Sequence, residues 1–190
     1  MAAPAGAPFV EEMDETLWRI LAARDATLLR RRDPPPDTAL VKVLLRGALH
    51  NELEASEIAA RWVVSTREID AKIAFAQQAG DEARHYGFIA ARLEELGEDL
   101  SGFDPVGAGY GRLFEYLLTL ETTTERIAAA QFTREAIGYK ANELFIQFCR
   151  DVGDEGTAAA RRAILRTLEL AEELRSLAAG RLLVEALPGC

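Results

Sequence analysis

Glu82 and His85 stand three residues apart inside a stripe that is otherwise apolar, with Ala71, Phe75, Ala79, Ile89 and Leu93 recurring at helical spacing around them. A helix with this stripe turns a carboxylate and an imidazole, side by side, toward whatever packs on it. The preceding segment carries the complementary pattern: Val41, Leu45, Ala48, Leu49, Glu52, Ala55, Ala59 and Trp62 share one face. Ser65-Thr66 lies between the two stripes, which predicts an antiparallel helical hairpin. Glu52 is 14 residues before Thr66 and Glu82 is 16 after it, so both carboxylates fall at one height. Buried and unpaired, each would cost several kcal/mol. Two of them beside a histidine call for a cation, or else for a hydrogen-bond network that holds them without a metal.

The rest of the chain also reads as helix. Residues 1–36 form an N-terminal arm with a short helix over about Glu11 to Leu29 and a joint at Asp33-Pro34-Pro35-Pro36-Asp37, where proline forbids helix. Residues 37–190 form the bundle. Its first helix is capped by Asp37 or Thr38 and runs to about Val64; its second is capped by Ser65 or Thr66 and runs to Leu96, before Gly97. Residues 97 to 110, rich in glycine, read as a crossover, with a short helix from about Leu113 to Leu120 after it. Thr122-x-x-Glu125 is a capping-box pattern that starts a third helix reaching Arg150, and a fourth runs from about Gly156 to Ala186.

Composition limits the class of partner. The chain has 190 residues, 49% of them hydrophobic, enough for one domain with a buried core. A formal charge of -9 disfavours nucleic acid or an anionic membrane surface as partner. The one basic run, Arg30-Arg31-Arg32, reads as solvated surface. Cys149 and Cys190 suggest neither a disulfide framework nor a thiolate metal site, and the first ten residues lack the pattern of a secretory signal, so a cytoplasmic protein is expected. Glu54 and Glu57 share a face with His50, Asn51 and Arg61 that reads as solvent-exposed. Trp62, Phe75 and Phe132 read as core anchors, and packing is the preferred role for Tyr86 and Tyr139 beside the polar positions. Trp18, Ile20 and Leu21, in the arm, have no obvious place in a four-helix core and predict a homodimer contact.

The runs His50-x-Glu52-Leu53-x-Ala55, Asp81-Glu82-Ala83-x-His85-Tyr86, Leu93-x-x-Leu96-Gly97 and Glu135-Ala136-x-Gly138 resemble the ferritin-like superfamily of carboxylate-bridged dimetal helix bundles. The nearest likeness is to its tRNA-hydroxylase-like and uncharacterised bacterial branches, over residues 40 to 185. The resemblance implies an all-α, up-down-down-up four-helix bundle in which helices one and three each give a Glu, and helices two and four each give Glu-x-x-His. It carries Glu52, Glu82 and His85 over as metal ligands, with Glu135 preferred from helix three and Glu121 and Glu125 as alternatives.

Helix four departs from that pattern, since no histidine follows residue 85. Glu169 with Glu172, Glu172 with Arg175, or Glu173 with Ser176 stand in the place of the second Glu-x-x-His; the apolar arc of Ile164, Leu168, Ala171, Ala178 and Leu182 prefers Glu172 with Arg175. An arginine there supplies a fixed positive charge where the family has its second ion. The expectation is one Fe or Mn ion, with two possible, in a non-haem oxidase or hydroxylase of a small organic substrate. A non-catalytic binding or scaffold bundle is the alternative, and iron storage a weaker one.

Overall fold

The computed structural model describes residues 38–166 together with Glu12, Glu15, Thr16 and Arg19. Glu12, Glu15, Thr16 and Arg19, within the expected N-terminal helix, are helical; the rest of that helix with Trp18, Ile20 and Leu21 of the expected dimer contact, and the helix-four residues Glu169, Glu172, Glu173, Arg175 and Ser176, lie outside the described residues. Among the described residues the chain is helical with no strand. No described helix is long and apolar enough to cross a membrane.

Helices α1 (Thr38–Ser65) and α2 (Ile69–Glu95) form the antiparallel hairpin that the two stripes require. Their buried positions largely follow the stripes, except that Glu54 and Ile58 are also buried on α1 and that Gln78 rather than Ala79 is buried on α2. Near the turn, the Trp62 and Phe75 rings pack 5.3 Å apart, and at the far end Val41, Leu45 and Leu49 share a core cluster with Ile89 and Leu93. The expected cap of α2 is corrected. Glu68 occupies the N-cap without a side-chain bond, and Ser65 and Thr66 instead accept hydrogen bonds from Arg126 Nη1 at 2.9 and 3.3 Å. A buried guanidinium from the third helix, also bonded to the Leu120 carbonyl at 3.1 Å, has taken the hydroxyls that a cap would use.

Helix α2 ends where a left-handed residue is needed. Gly97 has φ 81°, with Gly97 N–H donating to Glu94 O and Glu98 N–H to Leu93 O, the paired bonds of a Schellman ending. The following segment climbs back along α1. Glu98 pairs with Lys42 at 3.3 Å and with Arg46, His50 Nδ1 meets Pro105 O, and Tyr110 contacts Glu57 and Arg61. That path overturns one expectation. The α1 face with Glu54 is solvated only in part: Asn51 and Arg61 are exposed, but Glu54 is fully buried, its carboxylate held by His50 Nε2 at 3.0 Å and by the Gly111 N–H, and His50 is half-buried. Helical periodicity cannot register a loop that returns over a polar face.

After the short α3 (Arg112–Leu118), the capping box at Thr122 and Glu125 forms in full and starts α4 (Thr123–Arg126), which continues through π-helical turns (Ile127–Arg134) into α5 (Glu135–Asp151). Glu125 is therefore engaged at an exposed helix start and Glu121 is exposed beside it, so neither reaches the bundle interior. Thr122→Ala is expected to lower stability by about 1 kcal/mol in urea unfolding, since it removes the acceptor that caps the helix. This third helix runs in the same direction as α2, because Thr123 meets Glu68, Gln131 meets Gln78 and Arg134 meets Glu82 in ascending order. A further helix, α6, begins at residue 155 and is described to residue 166, with Asp154 and Thr157 fastened to Arg92 at 2.8 and 3.0 Å.

Among the described residues the core has two apolar clusters with a polar layer between them. One gathers Val41, Leu45, Leu49, Ile89, Leu93 and Ile164; the other gathers Ala55, Trp62, Phe75, Phe114, Leu117 and Ile127. On α1 the layer holds Glu52, between Leu49 and Ala55, and on α2 it holds Gln78, Glu82 and His85, between Phe75 and Ile89. Cys149 is a free, buried thiol in the first cluster, and burial pushes its pKa up to about 11, so it stays protonated and unreactive at neutral pH.

Candidate metal centre

Glu52, Glu82 and His85 meet at the waist of the hairpin, each offering a donor atom within 4.8 Å of the others. Glu82 and His85 are 3% and 1% exposed. His85 Nδ1 lies 3.2 Å from Glu82 Oε2 and 3.5 Å from Glu52 Oε2. Two donors on a common ion with bonds near 2.1 Å are separated by about 3.0 to 3.5 Å, from octahedral to tetrahedral geometry, so both distances suit the edges of a coordination shell. The longer one is loose for a hydrogen bond. By donor chemistry and spacing, the three residues fit a single divalent transition metal, as two carboxylates and one imidazole.

Glu82 faces two ways. Its Oε2 belongs to the His85 side, whereas its Oε1 accepts from Arg134 Nη2 at 2.6 Å. The same Arg134 nitrogen donates to Glu135, whose carboxylate also accepts from Gln78 Nε2 at 2.9 Å. Arg134 thus lies between Glu82 and Glu135 as a second cation would between bridging carboxylates. The π-helical turns end at Arg134, and the wider turn brings two consecutive side chains, Arg134 and Glu135, to one site; such turns recur at functional sites. Arg161, on α6, completes the ring with Nη1 3.8 Å from Glu52 Oε1.

The electrostatics follow from this crowding. Burial alone would lower the pKa of His85, but hydrogen bonds and charge from Glu52 and Glu82 outweigh it and raise it to about 9. The ring is an imidazolium at neutral pH. Burial alone would raise Glu52, yet its contacts with His85 and Glu82 and the charge of Arg161 hold it below the ordinary carboxylate value. Arg134 is likewise driven up by Glu135 and Glu82 against the opposing effect of burial. Three carboxylates are therefore balanced by His85, Arg134 and Arg161.

Sequence reasoning brought Glu52, Glu82, His85 and Glu135 to this place and missed both arginines. Arg161 was accessible, because stepping the apolar arc back from Ile164 by three residues lands on it, and its side chain is 6% exposed. Arg134 was not, since its position depends on the π-helical turns. Of the two flanking tyrosines, Tyr86 is half-buried and packs against the first core cluster, and Tyr139 is also half-buried. Comparisons with protein-family models, with characterised proteins and with solved structures find no match for this chain.

Proposed function

We propose that this chain is a ferritin-like helical bundle reduced to a mononuclear centre, in which Glu52, Glu82 and His85 hold one Fe or Mn ion and Arg134 stands in the place of a second. The observation that carries the reading is the division of Glu82, one oxygen toward His85 and the other on a guanidinium. The parallel course of the second and third helices and the inward placing of Glu135 support it. Bound there, the metal would supply oxidant activation of the oxidase or hydroxylase kind for a small substrate. The protein's own part is to keep one imidazole and two carboxylates oriented in a half-dry site, and to neutralise the remaining carboxylate with arginine rather than with an ion. Elemental analysis of purified protein is expected to find about one transition metal per chain, lost in His85→Ala, as removal of the sole nitrogen ligand weakens binding by about two orders of magnitude or more.

A second reading, a non-catalytic bundle, has its own support. The carboxylates are already balanced by side-chain cations, so the layer is self-consistent without metal. Metal-free protein after supplementation with Fe(II) or Mn(II) would favour it. Two ions per chain would contradict both and restore a conventional dimetal oxygenase.

A further inference from the structure

A cavity of about 130 Å³ opens on the polar layer itself, lined by Glu52, Glu82, His85, Arg134 and Glu135 as well as by Arg161, its most unusual member. That side chain is 6% exposed, yet Nε and Nη1 have no hydrogen-bond partner among the described residues, and Glu52 Oε1 at 3.8 Å is beyond bonding length. The guanidinium is held in place by the Phe145 ring, 5.3 Å from its centre. Asn142, 5% exposed, also lines the cavity with Oδ1 unpartnered; a half-turn of its amide presents the N–H₂ group instead, the orientation that an acceptor ligand selects. Buried guanidinium donors left unmade are rare in folded proteins and signal a missing acceptor. Ala48, Gly138, Ala141 and Ile164 supply the apolar part of the lining.

We propose that this cavity binds a short-chain aliphatic monocarboxylate, its carboxylate on Arg161 and Asn142 and its alkyl chain along Ala48, Ala141 and Ile164. Size selects the length. Engineered cavities of about 150 Å³ take benzene, with about six heavy atoms, and butyrate has the same number. The apolar lining selects an organic acid over inorganic phosphate, which has no alkyl surface to bury. Charge adds a coupling. Among the described residues, three carboxylates set against two arginines and a divalent ion leave one positive charge in excess, which a monoanion cancels. Such an acid is then the substrate class of the centre proposed above, and only the metal dependence of its binding rests on that reading.

The test is calorimetric and NMR titration of the full chain with butyrate, with butanol as the uncharged analogue and inorganic phosphate as the alternative anion. Butyrate is expected to bind at least about tenfold more tightly than butanol or phosphate, and Arg161→Met to remove that preference, as loss of a charge-assisted contact implies. Gly138→Leu serves as a second variant. Gly138 lines the cavity and a Cβ there meets no atom within 4 Å, so the added side chain is expected to fill the cavity and block butyrate, with the urea unfolding midpoint checking that the bundle is kept. Manganese(II) is expected to tighten butyrate binding by about fivefold through the coupling of charges. Equal binding of butyrate and butanol, stronger binding of phosphate, or butyrate affinity unchanged in both variants overturns the proposal. Arginine-dependent butyrate binding in a protein that takes up no metal would sustain this site and remove the mononuclear centre; metal uptake without butyrate binding would do the reverse.

Discussion

Arg134→Met is expected to destabilise the metal-free protein by about 2 kcal/mol, because removing this part-buried cation strands the buried Glu82 carboxylate. The groups that lose this cation are Glu82, 3% exposed, and Glu135, which Arg134 shares with the Gln78 amide. The diagnostic outcome is what metal does next. With the guanidinium gone, both carboxylates lose that cation and a metal ion can take its place between them, so manganese(II) should restore much of the lost stability and its stoichiometry should rise from one toward two. Chemical denaturation with and without metal, alongside elemental analysis, measures both effects. A variant that is destabilised but gains no second ion would show that Arg134 is simply a structural cation, and would weaken the idea that it stands in for a metal.

The pH dependence of the metal-free protein should be dominated by His85. Its pKa is about 9 in the folded protein against an ordinary histidine value of 6.5, a rise caused by Glu52 and Glu82 acting against burial. A group whose pKa is raised on folding contributes its stability in full below its unfolded value and loses it as pH climbs through its folded value. Stability should therefore hold to about pH 6.5 and decline through pH 9, by on the order of 3 kcal/mol in total, since raising a pKa by one is equivalent to about 1.4 kcal/mol. Denaturation midpoints at about pH 6 and pH 10 test this, with His85→Gln as the reference in which the decline is absent. Metal and proton compete for the same Nδ1, so metal affinity should rise about tenfold per pH unit between about pH 7 and pH 9. A flat affinity over that range would mean that His85 is not a ligand.

How far the chain discloses itself varies with the type of signal. The hairpin was legible because 27 or 28 residues of sustained periodicity outweigh any local ambiguity, and a turn of three residues forces neighbouring helices to be antiparallel. The common height of Glu52 and Glu82 followed from simple counting about that turn. The third helix was marked by Thr122 and Glu125, whose reciprocal bonds are a local code. Legibility failed wherever a long-range partner changed the meaning of a residue. Ser65 and Thr66 have the chemistry of a cap but serve Arg126, 61 and 60 residues away in sequence. Glu54 has the look of a surface acid but is covered by the returning crossover at Gly111.

Taken alone, the sequence determined an all-helical chain, the faces that its first two helices bury, and the presence of a carboxylate and histidine layer among apolar residues, because each of these is written in spacing of about 3 to 4 residues. The tertiary structure alone decided the charge balance of that layer. Arg134 reaches it through turns of π-helix, and Arg161 arrives from a helix more than a hundred residues after Glu52, beside the carboxylates in space but far from them in the chain. Whether a buried carboxylate cluster is a metal centre or a set of ion pairs depends on which cations stand near it, and electrostatic neighbours are set by distance in three dimensions, which no local pattern encodes.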